Sequence, residues 1–303
     1  MFTLAFLSDP HLAPLPRPAL SELMSKRILG YLNWLRSRKD IHSRRVLDTL
    51  TWDLLAQKTD HIAVGGDLIN LALHDEFTKA HDWLQTLGSP NRVSVVPGNH
   101  DAYVHLDYGS GIGLWDAYMT GDGSKTEPLS PSGEGFPYVR RFGGIALIGL
   151  SSGIPTAPFF AAGEVGPDQR AALERILSEL GEQDVFRIIM IHHPPLTGQS
   201  ASRRGLRDVV ELEGILKSCG AELVLYGHRH FHAIDTLDTV SGTAAIVGVP
   251  SASSCDGRAG HLARYNLFRI WKKREKWHCE MTGRGLTSPN GEITQIEIRM
   301  LTE

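Results

Sequence analysis

Five short apolar runs in this chain each end in a cluster of polar residues. The runs begin at residues 2, 61, 93, 188 and 223, and the clusters contain Asp, Asn, His and Gly. Runs of this length are typical of buried strands. Between them, residues 46–54, 173–180 and 209–216 carry apolar positions at helical spacing. This alternation indicates an α/β fold with a largely parallel or mixed sheet covered by helices.

The clusters also predict where the chain binds ligands. In open α/β sheets, ligands bind beyond the carboxyl ends of the strands, and every polar cluster here follows its strand. Further along the chain, the helical pattern gives way to predicted strands at 243–249, 263–271 and 292–298. Residues 109–137 are rich in Gly, Ser and Pro and are predicted to form a long surface loop. No domain boundary is evident, so we predict one domain over residues 1–303.

The composition excludes two classes of protein. The formal net charge is −3, and hydrophobic residues make up 42% of the 303 residues. A disordered chain would combine low apolar content with high net charge. A protein that coats duplex DNA would need a basic excess, so the sequence gives no strong nucleic-acid signal. It also predicts no oligomeric state.

The cysteines and the N-terminus predict a compartment. Cys219, Cys255 and Cys279 are an odd, widely spaced set that gives no disulfide framework. The N-terminal apolar run is short, lacks a basic region and ends at Asp9, so we interpret it as a strand rather than a signal peptide. We therefore expect a cytoplasmic protein, with peripheral attachment to the inner membrane as the alternative.

The polar clusters contain the ligand types of a metal site. They supply carboxylates, imidazoles and one amide oxygen, and they supply no thiolate. Mixed oxygen and nitrogen ligands suit divalent ions such as Mn, Fe, Zn or Co. Asp9 and His11 are two residues apart, as are His228 and His230, and strand alternation would place each pair on one side. We therefore expect a metal centre at the strand ends.

In order, the clusters resemble the signature of the calcineurin-like metallophosphoesterases. They read Asp9-x-His11, Gly66-Asp67, Gly98-Asn99-His100-Asp101, His192 and Gly227-His228-x-His230. The alternative is a set of buried, hydrogen-bonded polar residues, but five motifs in the right order make coincidence improbable. The resemblance implies a four-layer α/β/β/α sandwich of two mixed sheets flanked by helices, with two divalent metal ions at the strand ends.

The resemblance also assigns a role to each motif residue. It implies that Asp9, His11 and His230 hold one metal, that Asn99, His192 and His228 hold the other, and that Asp67 bridges both. His100 would act at the leaving oxygen as general acid or charge stabiliser, oriented by Asp101. A metal-bridging hydroxide would attack phosphorus in a phosphodiester or pyrophosphate substrate.

Departures from the pattern narrow the family. Protein serine/threonine phosphatases carry Asp and Arg-Gly soon after Gly-Asp, whereas here Asp67 is followed by Leu68-Ile69-Asn70. Those enzymes also have Glu at the position of Asp101. Residues 192–195 and 248–251 look more like the bacterial branch related to cyclic-nucleotide phosphodiesterases. The substrate does not follow from that resemblance.

An inserted segment, residues 12–41, separates the first two motifs. Its apolar residues recur at helical spacing: Leu20, Met24, Ile28, Tyr31, Leu32 and Leu35. Seven basic residues lie in or just after it: Lys26, Arg27, Arg36, Arg38, Lys39, Arg44 and Arg45. One interpretation is an amphipathic helix packed on the sandwich with solvated charges. The other is a cap whose residues 20–39 contact an anionic membrane, with a lipid-linked substrate such as that of the related UDP-diacylglucosamine hydrolases.

Two further alternatives stay open. One is a metal-containing scaffold without catalytic activity, and the other is a nuclease, which the net charge disfavours. Of the remaining histidines, His193 is predicted to shape the site through its neighbours, and His232 to be either next to the metal ligands or solvent-facing. The others are predicted to be surface or core residues without a role: His42, His61, His74, His81, His105, His261 and His278.

Overall fold

Two mixed sheets of six strands each form the centre of the protein, as the resemblance implies. The computed structural model describes residues 1–122 and 135–302. The strands are β1 Phe2–Leu7, β2 His61–Val64, β3 Val93–Val95, β4 Tyr138–Phe142, β5 Ile145–Gly149, β6 Phe186–Met190, β7 Leu223–Tyr226, β8 Ala233–Thr239, β9 Gly242–Gly248, β10 Arg264–Lys273, β11 Lys276–Leu286 and β12 Ile293–Thr302.

The order of the strands brings distant parts of the sequence together. The first sheet runs β12-β11-β10-β1-β2-β3, and the second runs β4-β5-β6-β7-β9-β8. β1, β2 and β3 are parallel to one another, and so are β5, β6, β7 and β9. The outer strands pair antiparallel. The strands that lead into the polar motifs are all among these parallel strands: β1, β2 and β3 of the first sheet and β6 and β7 of the second.

Helices cover the two outer faces of the sandwich. They are α1 Arg27–Arg36, α2 Arg44–Ala56, α3 His74–Leu87, α4 Pro167–Gly181 and α5 Val209–Cys219. Short 3₁₀ helices lie at Arg38–Asp40, Tyr108–Ser110 and Ile112–Tyr118. The predicted helices at 46–54, 173–180 and 209–216 correspond to α2, α4 and α5. Pro167 occupies the first turn of α4, where its missing N–H costs nothing.

The core follows the two-residue period of the strands. In β5, Ile145 and Leu147 belong to the apolar cluster that also holds the buried residues of the first sheet, α2 and α3. Ala146 and Ile148 belong to the second cluster, beneath α4 and α5. Because successive side chains of a strand point to opposite faces, the second sheet is buried on both sides. This arrangement is the four-layer sandwich.

The predicted surface loop at 109–137 is only partly a surface element. Trp115 lies within it and is fully buried, and its indole Nε1 donates a 3.0 Å hydrogen bond to the Phe77 carbonyl oxygen in α3. This part of the loop therefore anchors α3. Residues 123–134 of the predicted loop lie outside the described residues.

The inserted segment is less helical than its apolar spacing predicts, and the apolar residues of its predicted stripe face solvent. Only Arg27–Arg36 forms a regular α-helix, and residues 20–26 form turns. Leu20 and Met24 are 86% and 87% exposed, whereas Arg27 is buried. The apolar stripe therefore does not pack on the sandwich as the first interpretation expected, whereas four of the seven basic residues are exposed as it expected: Arg36, Lys39, Arg44 and Arg45.

Within the described residues, the helices are all too short or too polar to cross a bilayer.

Candidate metal centre

The seven predicted metal ligands come together where the two sheets meet. Asp9 and His11 follow β1, Asp67 follows β2, and Asn99 follows β3 of the first sheet. His192 follows β6, and His228 and His230 follow β7 of the second sheet. Five of the seven are buried, and His228 and His230 are partly exposed. The site is thus formed by residues from both sheets that are far apart in the sequence.

Tight turns, rather than strand alternation, direct these side chains into the site. β1 ends at Leu7, so Asp9 and His11 lie beyond the strand, and both have positive φ angles of 54° and 39°. Asp67, His228 and His230 also have positive φ angles. Left-handed backbone in non-glycine residues is uncommon and clusters at functional sites. The members of each pair lie close to the site as expected, but the cause is the left-handed turns and not the alternation of side chains along a strand.

The first group consists of Asp9, His11, Asp67 and His230, whose ligand atoms all lie within 4.8 Å of one another. His230 Nε2 is 3.1 Å from Asp9 Oδ1, and His11 Nε2 is 3.7 Å from Asp67 Oδ2. His11 Nδ1 donates to the Ile69 carbonyl oxygen at 3.1 Å. Because that oxygen can only accept, Nδ1 carries the proton, and the Nε2 lone pair faces the group.

The second group continues from the same carboxylate. His192 Nε2 is 3.4 Å from Asp67 Oδ2 and 3.2 Å from His228 Nδ1. His192 Nδ1 donates to the Gly65 carbonyl oxygen at 2.7 Å, so its Nε2 also faces inward. Asn99 is buried, and its Oδ1 has no hydrogen-bond partner among the described residues. A buried carbonyl oxygen without a donor fits a metal ligand, because such an atom is otherwise costly to bury.

The pKa values of Asp67 and His192 reflect the attraction between their charges. Burial alone would raise the pKa of Asp67, but His192 and His100 hold it well below its usual range. Burial alone would lower the pKa of His192, but the Asp67 charge and hydrogen bond raise it to about 10. Burial and the Asp67 charge raise the pKa of Asp101 to about 8. Carboxylates crowded in this way are stabilised by a cation between them.

His100 lies beside both groups, but Asp101 does not orient it as expected. His100 Nδ1 donates to the Asn70 carbonyl oxygen, which turns Nε2 into the site. Asp101 Oδ1 accepts hydrogen bonds from the amides of Leu68 and Ile69, and Oδ2 accepts one from Gly98. Asp101 therefore connects the loops that carry Asp67 and His100. The expectation that it orients the His100 ring is wrong, because its carboxylate binds backbone amides instead.

Replacing Asp101 by alanine should therefore destabilise the protein. The change leaves three buried amide donors without an acceptor, and each such donor costs about 1–3 kcal/mol. We expect the free energy of unfolding, measured by urea denaturation, to fall by about 2–5 kcal/mol. Asp107→Ala, at an exposed carboxylate a few residues away, is the matched control. Equal stabilities for the two variants would contradict this role.

Two residues beside the site were missed from the sequence. His42 was predicted to have no role, but its ring lies 4.5 Å from that of His11 and 5.5 Å from that of His230, between centroids. It is buried, and its Nδ1 contacts Ser253 Oγ at 2.9 Å. Arg38 of the inserted segment also reaches the site. Neither residue belongs to a motif, so only the fold reveals them.

The two histidines with open assignments are now placed. His193 has its Nδ1 at 2.8 Å from Ser152 Oγ and its Nε2 at 3.2 Å from the Ala161 carbonyl oxygen. Its ring packs on His228 at 4.4 Å, which fits the prediction that it shapes the site through neighbours. His232 Nε2 pairs with Glu297 Oε2 at 3.1 Å and is neither next to the predicted metal ligands nor fully solvent-facing.

The motifs and their geometry agree with a comparison of the sequence with protein families. Residues 2–232 match the model of the calcineurin-like phosphoesterases. The chain belongs to this family. The match covers all the motifs described above, from Asp9 to His230. No curated protein matches this calcineurin-like phosphoesterase.

Solved structures share the fold of this calcineurin-like phosphoesterase at low sequence identity. A dimetal phosphatase from Danio rerio is 15% identical, with a TM-score of 0.62, over 99% of this chain and 98% of that chain. A purple acid phosphatase from yellow lupin (Lupinus luteus) seeds is 11% identical, with a TM-score of 0.60, over 97% of this chain and 52% of that chain. At such identities the likeness shows the fold alone.

The donor atoms of the site fit the divalent ions that the family and the His/Asp groups indicate. Carboxylate and imidazole atoms form two adjoining groups, and Asp67 lies close to the histidines of both. Nδ1 of His11 and Nδ1 of His192 each donate to a backbone carbonyl oxygen, which turns Nε2 of both rings toward the place where a cation would bind. The free Oδ1 of Asn99 needs such a partner.

Proposed function

We propose that the protein is a two-metal phosphohydrolase that cleaves a phosphodiester or pyrophosphate bond. One observation carries the proposal. Asp67 Oδ2 lies 3.7 Å from His11 Nε2 and 3.4 Å from His192 Nε2, between the two groups of potential ligands. A carboxylate in that position suits a ligand shared by two metal ions. Metal ions held side by side are typical of sites that cleave phosphate esters.

Each group would hold one ion. Asp9, His11 and His230 would hold the first, Asn99, His192 and His228 would hold the second, and Asp67 would belong to both. Manganese, iron, zinc and cobalt are the ions that match this mixture of oxygen and nitrogen donors. When bound, such ions supply Lewis-acid activation of water and positive charge for the phosphoryl oxygens.

The chain itself supplies proton transfer and positioning. His100 Nε2 faces the site, because Nδ1 is held by the Asn70 carbonyl oxygen. Burial and the nearby Arg38 charge lower the pKa of His100 to about 4, so the free imidazole is neutral at pH 7. It would receive a proton or donate a hydrogen bond only beside an anionic substrate that stabilises its charged form. The His100 backbone amide donates to Asp67 Oδ1 at 2.7 Å and fixes the shared carboxylate.

The bond type is supported by what surrounds Asp67. The residues that follow it, Leu68 and Ile69, are apolar and buried, where protein phosphatases carry charged side chains. This difference disfavours a phosphoprotein substrate and supports a diester or pyrophosphate of a smaller molecule. A scaffold without activity is the competing hypothesis.

A panel of substrates tests the proposal. The Mn²⁺-loaded protein would be assayed with bis-p-nitrophenyl phosphate, p-nitrophenyl phosphate, cyclic nucleotides and nucleotide pyrophosphates. We expect turnover of a diester or a pyrophosphate to exceed that of the monoester. Faster turnover of the monoester would contradict the proposed bond type but not the proposed phosphohydrolase activity. A protein that binds metal and is inert on every substrate would support the scaffold instead.

A lipid-linked substrate is a second candidate, and the exposed face of the inserted segment favours it. Leu20, Met24, Ile28 and Leu32 are exposed, and the exposed basic residues Arg36 and Lys39 lie nearby in the sequence. Exposed apolar side chains rimmed by basic ones can insert into the surface of an anionic membrane. The same segment adjoins the site through Arg38, so a lipid held there would be close to the predicted metals.

Flotation with liposomes tests this candidate. We expect the intact protein to float with vesicles that contain phosphatidylglycerol and to stay behind with neutral vesicles, because the exposed cations need anionic lipid. The double variant Leu20→Glu, Met24→Glu should lose flotation at unchanged stability, since both side chains are exposed. Val240→Glu, at an exposed valine in the β8–β9 turn, is the control. If the intact protein does not float, the membrane candidate is wrong and the phosphohydrolase proposal is unaffected.

A further inference from the structure

Arg38 is the residue through which the inserted segment enters the site. It begins the 3₁₀ helix Arg38–Asp40 and is only partly exposed. Its Nη1 donates to His100 Nε2 at 2.7 Å, and its Nη2 lies 3.5 Å from His11 Nε2. Both partners are neutral imidazoles when their outer nitrogens hold the protons. The guanidinium thus points at the place where the predicted ligands meet.

The surroundings of Arg38 do not balance its charge. Among the described residues, its hydrogen bonds go to imidazoles and no carboxylate forms an ion pair with it. Other arginines that are not exposed either have an ion pair, as Arg170, Arg187 and Arg264 do, or donate to backbone carbonyl oxygens, as Arg27 and Arg140 do. The acidic groups whose charge reaches it are Asp67 and Asp9. Both are proposed metal ligands, so bound cations would cancel their attraction. A guanidinium beside metal ions is stable only with an anion between them.

The inserted segment is attached firmly enough to hold Arg38 in this position. Arg27 donates from Nε to the Leu71 carbonyl oxygen at 3.1 Å and from Nη2 to the Ala72 carbonyl oxygen. Lys26 Nζ donates to the Thr156 carbonyl oxygen at 2.6 Å and lies 4.2 Å above the centre of the Tyr103 ring. These bonds attach the segment to the loops on both sides of the site.

The C-terminal end of the inserted segment is also attached to the rest of the protein, and an aromatic ring packs against His100. The Cys255 amide donates to the Ile41 carbonyl oxygen at 2.9 Å, and the Ser43 amide donates to the Ser253 carbonyl oxygen at 2.8 Å. The Tyr103 ring stacks on His100 with 5.7 Å between centroids and an angle of 9°. Arg38 and His100 therefore sit in a fixed frame, which lowers the entropy cost of binding a ligand.

We infer that Arg38 binds the phosphoryl group of the substrate, so that the inserted segment completes the active site. The inference rests on the proposed function, since it supposes a phosphate held beside the metals. The guanidinium has five N–H donors in a planar fork, which matches the geometry of two phosphoryl oxygens. One donor is used by His100, and the others are available to the anion. Arg38 is then a substrate-binding residue specific to the insertion.

The test compares three variants of the Mn²⁺-loaded protein. Arg38→Gln removes the charge and can still donate to His100, Arg38→Lys keeps the charge without the fork, and Arg175→Gln is the matched control at an exposed arginine of α4. The readouts are the Kd of inorganic phosphate by calorimetry, the metal content, and KM and kcat where turnover is found. Arg38→Gln should keep its metals and weaken phosphate binding about 10–100-fold, the range for charge-assisted hydrogen bonds.

The remaining outcomes are equally decisive. Arg38→Lys should recover part of the affinity, and Arg175→Gln should match the parent. An unchanged phosphate Kd in Arg38→Gln, or a loss of metal in that variant, overturns the inference. If the parent binds phosphate through Arg38 but hydrolyses nothing, the proposed function fails and the anion site stands. If the parent hydrolyses substrate and Arg38→Gln does so with unchanged KM and phosphate Kd, only the inference fails.

Discussion

Replacing Asp67 is expected to remove metal from both halves of the site and to abolish activity. Its Oδ2 lies between the two groups of potential ligands, 3.7 Å from His11 Nε2 and 3.4 Å from His192 Nε2. Without it, neither group keeps a shared anionic ligand. The contribution of bound metal to phosphoryl transfer amounts to several kcal/mol, so we expect turnover to fall by roughly 10³-fold or more.

Two substitutions separate charge from shape at this position. Asp67→Asn keeps the size of the side chain and a potential acceptor for the His100 amide, and Asp67→Ala removes both. Metal content after dialysis would be measured by elemental analysis. Added Mn²⁺ should raise the Tm of the parent, because a ligand that binds only the folded state stabilises it. The Tm of the variants should not respond.

An exposed carboxylate supplies the control for Asp67. Asp82→Asn on α3 makes the same chemical change at a side chain that is 71% exposed. We expect it to retain the metal content and turnover of the parent. If Asp67→Asn holds as much metal as Asp82→Asn, Asp67 is not a shared ligand, and the two-metal account of the site is wrong.

Replacing His100 by alanine should have the opposite pattern, with metal retained and turnover lost. The alanine keeps the backbone amide that donates to Asp67 Oδ1, so the shared carboxylate stays in place. It removes the ring whose Nε2 faces the site. The loss of one acid–base or charge-stabilising group lowers turnover by about 10²–10⁴-fold. Metal analysis and kcat on the best substrate of the panel give the two readouts.

His105 provides the matched control for His100. It is an exposed histidine outside every motif, five residues further along the chain. We expect His105→Ala to behave as the parent in metal content and kcat. Parent-like turnover by His100→Ala would show that its imidazole has no part in the reaction, and equal metal loss in both His100→Ala and Asp67→Ala would make it a metal-site residue instead.

Eight of the twelve described strands could be predicted from the sequence, and two of these, β3 and β12, lie at sheet edges. β1, β2, β3, β6 and β7 are short apolar runs that end in motifs, and they were found. β8 and β11 mix polar with apolar residues, because one or both of their faces meet solvent. β11 forms a hairpin with β10 through Arg274 and Glu275, and no Asn-Gly or Asp-Gly pair marks that turn.

Some elements were missed although their signal is in the sequence. Helix α3 carries Phe77, Ala80, Trp83, Leu84 and Leu87 at helical spacing, and all are buried. β5 is a continuous buried apolar run like β6. The spacing of apolar residues is therefore sufficient to predict both elements.

The identity of the motif residues was predictable, and their surroundings were not. The motifs name Asp67 and His192, but the left-handed turns that aim them are a property of the folded backbone. Asp101 was expected to touch His100 because the two are adjacent, yet its carboxylate is needed by backbone amides of two loops. Arg38 is one of seven basic residues that look alike in the sequence, and only the packing of the insert sets it apart.

The central proposal is that this site hydrolyses phosphate esters with bound divalent ions. The most direct test is the rate of bis-p-nitrophenyl phosphate hydrolysis by chelator-treated protein as Mn²⁺ is added back. The account predicts no turnover without metal and a rate that rises to saturation as the site fills, in parallel with bound metal. Turnover that persists after complete metal removal, or none when two ions are bound per chain, would contradict it.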